Sequence, residues 1–169
     1  HVYLRPVYDA PDDKSVMDLT VEQEAEHFID SRPDVFCNTT DAEVLSQVLN
    51  SYDRETPDFF RWQVRYTRSH LSALVADRSG IDFGTITAIE PVERGASGRI
   101  IRLRIVGTRR EMIVGKELYI RRILSSSHLY SSAFVVRRDG DDFVFDGAGW
   151  GHGVGLCQIG AAVMAHRGY

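Results

Sequence analysis

Fourteen residues near the C-terminus, Gly147-Ala-Gly-Trp-Gly-His-Gly-Val-Gly-Leu-Cys-Gln-Ile-Gly160, hold six of the chain's fourteen glycines, one histidine and one cysteine. Glycine costs backbone entropy and packs nothing, so this density marks a main chain that turns sharply or lies close against something. Four chemistries compete for it. A phosphate cradle would present backbone N–H groups between a strand and a helix. The spacing G-x-G-x-x-G fails, however: His152 follows Gly147 and Gly149 where the third glycine belongs, and Leu156 follows Gly151 and Gly153. A Gly-Lys-Ser/Thr triplet is also missing. A cysteine nucleophile would pair Cys157 with His152 as base. Against it, a helix that begins before Cys157 puts the thiol in an apolar turn between Leu156 and Ile159, where cysteine is usually a small buried hydrophobe. A metal site could draw on His1, Cys37, His152 and Cys157, but no local ligand spacing supports it, so these residues are expected to be unrelated and no metal ligand is assigned. The fourth chemistry is a sugar cleft. His152 is held in a glycine turn, Trp150 stands beside it and Gln158 follows, and aromatic rings and amides suit the apolar faces and hydroxyl edges of sugars. The plainer alternative for His152 is a histidine that bridges backbone groups of its own loop.

Cleaving a glycosidic bond also needs a carboxyl group of raised pKa near the leaving oxygen. Glu90, Glu93, Glu111, Glu117 and Asp146 are the candidates. The first four read as surface charge, with basic neighbours or a helix start to satisfy them. Asp146 enters the glycine segment, where it would orient His152 or start the turn.

The rest of the chain must hold this segment. With 169 residues, 43% hydrophobic, one domain with a real core is expected. A net charge of −4 leaves no basic excess for nucleic acid, and no apolar run reaches the ~20 residues of a membrane span. Cys37 and Cys157 form no CxxC pair and do not fix a redox compartment. The chain opens at His1 without a visible signal peptide and reads as a piece of a longer protein. Val2–Tyr8 reads as an edge strand because of Pro6. A capping box, Thr20-Val-Glu-Gln23, opens a helix to Ser31 with Ala25, Phe28 and Ile29 on its apolar face. Its acids Glu22, Glu24, Glu26 and Asp30 read as a solvated face. Thr40 or Asp41 caps a second helix carrying Val44, Leu45, Val48 and Leu49. Residues 59–66 alternate as a half-buried strand with Trp62 in the core. Ser69 caps a third helix that Gly80 stops. Strands are expected at 85–91, 99–106 and 109–114, then a short helix at 116–124. A hairpin follows around Asp139-Gly140, from 130–137 to 142–145. A final helix runs from 156 to 166. The class is α+β, mainly an antiparallel sheet with several packed helices, in a single domain over 1–169 that is incomplete at its N-terminus. Residues 10–82 read as a helical insertion within it.

At this point the segment Gly151-His-Gly-Val-Gly-Leu-Cys-Gln-Ile-Gly-Ala161 resembles the signature of the SpoIID/LytB family, GHGVGMSQYGA. In the same order upstream, Tyr3-Leu4 resembles the family's PYL segment and Ser97-Gly98-Arg99 its SGR turn. Leu129-Tyr-Ser-Ser-Ala-Phe134 resembles its LRSTxF motif. The glycine motif is long and specific, and the other three gain weight from their order. The resemblance implies an extracytoplasmic protein that acts on bacterial peptidoglycan. SpoIID is a sporulation lytic transglycosylase that cuts glycan strands stripped of stem peptides; LytB relatives are enhancers of an N-acetylmuramoyl-L-alanine amidase. Carried over motif by motif, the substrate site would comprise His152, Gln158, Ser131 and Ser132, with Trp150 added from its chemistry. Gly151, Gly153, Gly155 and Asp146 would shape the loop. Cys157 stands where the family has serine and Ile159 where it has tyrosine, which removes two hydroxyls. The family's catalytic glutamate lies upstream of the PYL segment, as does a histidine- and cysteine-containing stretch that binds zinc in some members. This chain is therefore expected to carry no catalytic residue, and to meet zinc only through sequence upstream of it.

Overall fold

The structure is a computed structural model that describes Val7, Asp9, Ala10 and residues 17–48 and 59–169. The predicted strand at Val2–Tyr8 falls almost wholly outside these residues, as does Leu49. The architecture is α+β in a single domain, with five helices and two antiparallel three-stranded sheets among the described residues.

The first sheet is ordered β1 (Arg61–Tyr66), β6 (Asp142–Ala148), β5 (Phe134–Asp139). Its centre, β6, is the strand that runs into the glycine segment. The hairpin β5–β6 turns at Gly140 with a left-handed φ of 59°, as the Asp-Gly signal predicts. One face of this sheet is polar and cross-linked. Arg65 pairs with Asp139 and Asp142, Gln63 donates to Asp146, and Arg137 bridges Asp146 and Asp30. The other face buries Trp62, Phe134, Phe143 and Phe145.

The second sheet is β2 (Ile86–Arg94), β3 (Ile100–Gly107), β4 (Glu111–Gly115), paired in sequence order. Bulges near Ile86, Pro91 and Glu93 curve β2, and the strand outlasts its predicted end at Pro91. Ile86, Ile89, Ile100, Leu103 and Ile105 of this sheet join Trp62, Phe134 and Phe145 of the first in one core cluster. Helices α3 (Arg68–Ser79) and α4 (Glu117–Ile123) add Leu71, Val75, Ile120 and Ile123 to it. Each such side chain contributes about 1.5–3 kcal/mol on burial, so the two sheets are held as one unit.

The helix N-caps correct the sequence reading in two places. Helix α1 (Glu22–Asp30) has no capping box: its N-cap is Val21, and Thr20 instead donates its hydroxyl to Asp18 at 2.5 Å. Thr67, rather than Ser69, caps α3 by accepting from the His70 N–H; Gly80 ends that helix in the left-handed region, as expected. Asp41 caps α2 (Ala42–Val48) through the N–H groups of Glu43 and Val44. The acidic face of α1 is only partly solvated. Glu22 grips the fully buried Arg94 side chain through two bonds of 2.6 and 2.7 Å, and Asp30 pairs with Arg137. A buried guanidinium needs such a counter-charge, which makes Glu22 a tether between α1 and the second sheet. Residues 10–82 are not wholly helical, because they include β1, an edge strand of the first sheet. They also supply Trp62, Leu71 and Val75 to the main core.

Candidate functional site

The glycine segment folds as an exposed loop between β6 and α5 (Gln158–His166). Its first residues still belong to the sheet. Gly147 is registered between Trp62 on β1 and Phe134 on β5, and a methyl group there would run into the Trp62 indole. Beyond Ala148 the chain leaves the ladder, and Gly149, Gly151, Gly153 and Gly155 all take positive φ, from 63° to 100°. Side chains at these positions would be strained, which is why alternate residues are glycine.

The loop is fastened from beneath. The Gly149 N–H donates to the Phe60 carbonyl and the Gly151 N–H to the Tyr130 carbonyl. Trp62 Nε1 donates to the Gly149 carbonyl at 3.1 Å. Arg99 spreads its guanidinium across the Ser97, Trp150 and Gly151 carbonyls at 3.1, 3.3 and 3.4 Å. Burial lowers its pKa, but a guanidinium remains charged in proteins. A Cβ on Gly153 would overlap this same guanidinium. Trp150 lies flat on Tyr130, with ring centroids 5.2 Å apart and planes 7° from parallel.

What this scaffold presents is His152 and Gln158. His152 is exposed, and its Nδ1 accepts from the Val154 N–H at 3.1 Å. That bond makes Nδ1 the acceptor of the neutral ring, so the proton sits on Nε2 as an outward donor. His152 thus braces its own loop and still offers a polar atom. Gln158 opens α5 and is also exposed.

The other residues selected from sequence lie elsewhere. Ser131 and Ser132 are fully buried. The Ser131 hydroxyl donates to the Ala148 carbonyl at 2.8 Å and accepts from the Ala133 N–H, so it holds the end of β6 instead of facing solvent. Asp146 does not reach His152; it accepts from Gln63 and Arg137 on the polar face of the sheet. There it helps line a groove of about 460 Å³ with Asp30, Arg32, Arg61 and Arg137. All five carboxylates considered as acids have arginine partners. Glu90 and Glu111 flank Arg104, Glu93 faces Arg102, Glu117 pairs with Arg121 and Asp146 with Arg137. Arg104 holds the Glu111 carboxyl below its usual range, the opposite of what a general acid needs. Glu117 is not surface charge as expected, since its side chain is only 16% exposed.

Two groups escaped the sequence reading. Arg99 was visible only as part of a short turn motif, and nothing in one dimension shows a guanidinium reaching 51 residues ahead. The other is a cluster. Cys37 and Cys157, expected to be unrelated, come together with Asp9, their ligand-type atoms all within 4.8 Å of one another. Cys157 is not inside the helix. It caps α5, its Sγ accepting from the Gly160 N–H at 3.4 Å. The Cys37 thiol and this backbone bond together pull the Cys157 thiol down to about 6, while Cys37 is pushed up.

A family model described as a domain of unknown function (DUF8618) matches residues 1–155. The chain belongs to this family. It is also related to stage II sporulation protein D. The protein of that name from Bacillus subtilis (strain 168) is 26% identical over 124 residues, and that from Bacillus amyloliquefaciens 29% over 125. Each match takes in 73% of this chain and 33% of the relative, so the chain spans about a third of the length of the curated relatives it matches. The DUF8618 match ends at Gly155, within the loop and before the cap of α5.

Proposed function

We propose that the loop over residues 149–157 is one wall of a cleft for peptidoglycan glycan strands, in an extracytoplasmic protein that cuts those strands as a lytic transglycosylase. The observation that carries this reading is the construction of the loop. Arg99, Trp62 and two backbone bonds fix it from below, and it exposes the His152 imidazole, with the Gln158 amide also exposed where α5 begins. Rigid polar groups on a fixed backbone suit ring hydroxyls and N-acetyl groups, because little ordering entropy is lost on binding. The relationship to a sporulation protein supports a role in cell-envelope remodelling.

In this reading His152 donates to the sugar and Gln158 both donates and accepts. Trp150, Ser131 and Ser132 shape the floor from inside. The reaction itself would have the sugar's own hydroxyl attack the anomeric carbon, with a carboxyl group protonating the leaving oxygen and taking the hydroxyl proton. The five arginine-paired carboxylates are poor candidates for that group, and we assign it to none of them.

Binding to purified glycan strands lacking stem peptides tests the cleft. His152→Ala is expected to weaken it about tenfold, the worth of one good polar contact; unchanged binding would overturn the assignment. The full-length protein should release anhydromuropeptides from the same strands, detectable by mass spectrometry. The arginine pairing of the acids favours one second reading, a non-catalytic module that binds the wall and enhances an N-acetylmuramoyl-L-alanine amidase. That reading predicts no anhydro products and faster release of stem peptides when the protein is added to the amidase.

A further inference from the structure

The cluster beneath α5 is built by three separate pieces of chain. The Phe36 N–H donates to the Asp9 carbonyl at 2.9 Å, which fixes Asp9 beside the turn that carries Cys37. Phe36 and Val44 pack against Val163, docking α5 on α2 and bringing the Cys157 cap over Cys37. Gly160 completes the fit, because a methyl group there would overlap the Asp9 carboxylate. Asp9 Oδ2 is buried and has no hydrogen-bond partner among the described residues. A buried, unpaired carboxylate oxygen costs several kcal/mol unless something positive meets it. The nearby guanidiniums are engaged elsewhere: Arg61 donates to the carbonyls of Phe28, Ser31 and Phe60, and Arg99 to those of the glycine loop.

The geometry points to a metal site in which Asp9, Cys37 and Cys157 bind one zinc-like divalent cation. Two sulfurs and a carboxylate oxygen suit a borderline-soft ion of tetrahedral habit, and three protein ligands leave a fourth position. A disulfide between the two cysteines is the competing state. It would satisfy the sulfurs but leave Asp9 Oδ2 bare, whereas a cation satisfies all three atoms. Binding releases the thiol protons. The inference does not depend on the glycan reading: Cys157 ends the proposed cleft wall, but cobalt binding is read without glycan.

Cobalt(II) titration of the reduced, metal-stripped chain tests it. The expected result is one equivalent bound, with a thiolate-to-cobalt charge-transfer band and tetrahedral visible bands, both abolished by added zinc. Cys37→Ser and Cys157→Ser should each weaken binding by about 100-fold or more, since even loss of an outer partner of a metal ligand costs about 10–100-fold. Asp9→Asn, nearly isosteric, should weaken it about tenfold or more without changing the fold by circular dichroism. No charge-transfer band from wild-type protein with two titratable thiols would overturn the proposal. So would a chain isolated lighter by the two hydrogens of a disulfide that, once reduced, takes up no cobalt. Unchanged affinity in Asp9→Asn would overturn the three-ligand site.

Discussion

Gly147 and Gly153 sit six residues apart in the same glycine-rich segment, yet different physics demands each. Gly147 lies in a regular strand, and glycine is needed because the Trp62 ring covers it. Gly153 lies in the loop, where a positive φ of 66° and the guanidinium of Arg99 together exclude a side chain. Gly151 and Gly155 show the loop requirement alone: φ is positive, and a Cβ at either would meet nothing within 4 Å. A dense glycine run is therefore two devices joined at Ala148, a packing gap in the sheet and a strained loop beyond it. The first concerns stability and the second the presentation of His152.

Substitutions can break this division. Gly147→Ala should have the largest effect, about 3 kcal/mol in urea unfolding, because a methyl group is driven into a core already filled by Trp62 and Phe134. A loss below ~1 kcal/mol would mean that the indole moves aside and the strand tolerates a side chain. Arg99→Ala should cost about 2 kcal/mol and loosen the loop, leaving three carbonyls without their charged donor. Faster amide exchange at residues 150–156, with β2 and β3 unchanged, would show that Arg99 acts on the loop alone. Arg99→Lys should not restore protection, since one ammonium cannot span a fan of three carbonyls. Gly153→Ala is expected to cost about 2 kcal/mol and Gly151→Ala about 1 kcal/mol, the difference measuring the guanidinium contact apart from backbone strain. Equal losses would remove Arg99 from the account of Gly153. His152→Ala should move stability by less than about 0.5 kcal/mol, as for an exposed side chain with one local bond, and show its effect in glycan binding.

Local chemistry made much of the fold readable. The hairpin at Asp139-Gly140, the stop of α3 at Gly80 and the alternation that buries Trp62 are decided by neighbours in the chain, and they stand where the sequence puts them. The caps of α1 and α3 went astray because several hydroxyl and carboxylate side chains compete within a few residues, and only backbone angles select among them. The site was readable as a motif but not as an arrangement. His152 and Gln158 do stand on the exposed loop and helix start, whereas Ser131 and Ser132 face the interior. Both lie just before β5, outside any strand alternation, so nothing local to the chain shows that they are covered.

The sequence by itself determined where the chain bends and which residues are apolar, since glycine at positive φ and alternation along a strand are properties of one or two residues at a time. It also carried the relationship to the sporulation proteins. Only the tertiary structure decided what each polar group meets. Arg99 reaches the loop, Glu22 finds a buried Arg94, and Asp9, Cys37 and Cys157 converge from positions up to 148 residues apart (157 minus 9). Such partners depend on how helices and sheets dock, and docking follows the burial of apolar surface, which is non-directional and leaves no local spacing in the chain.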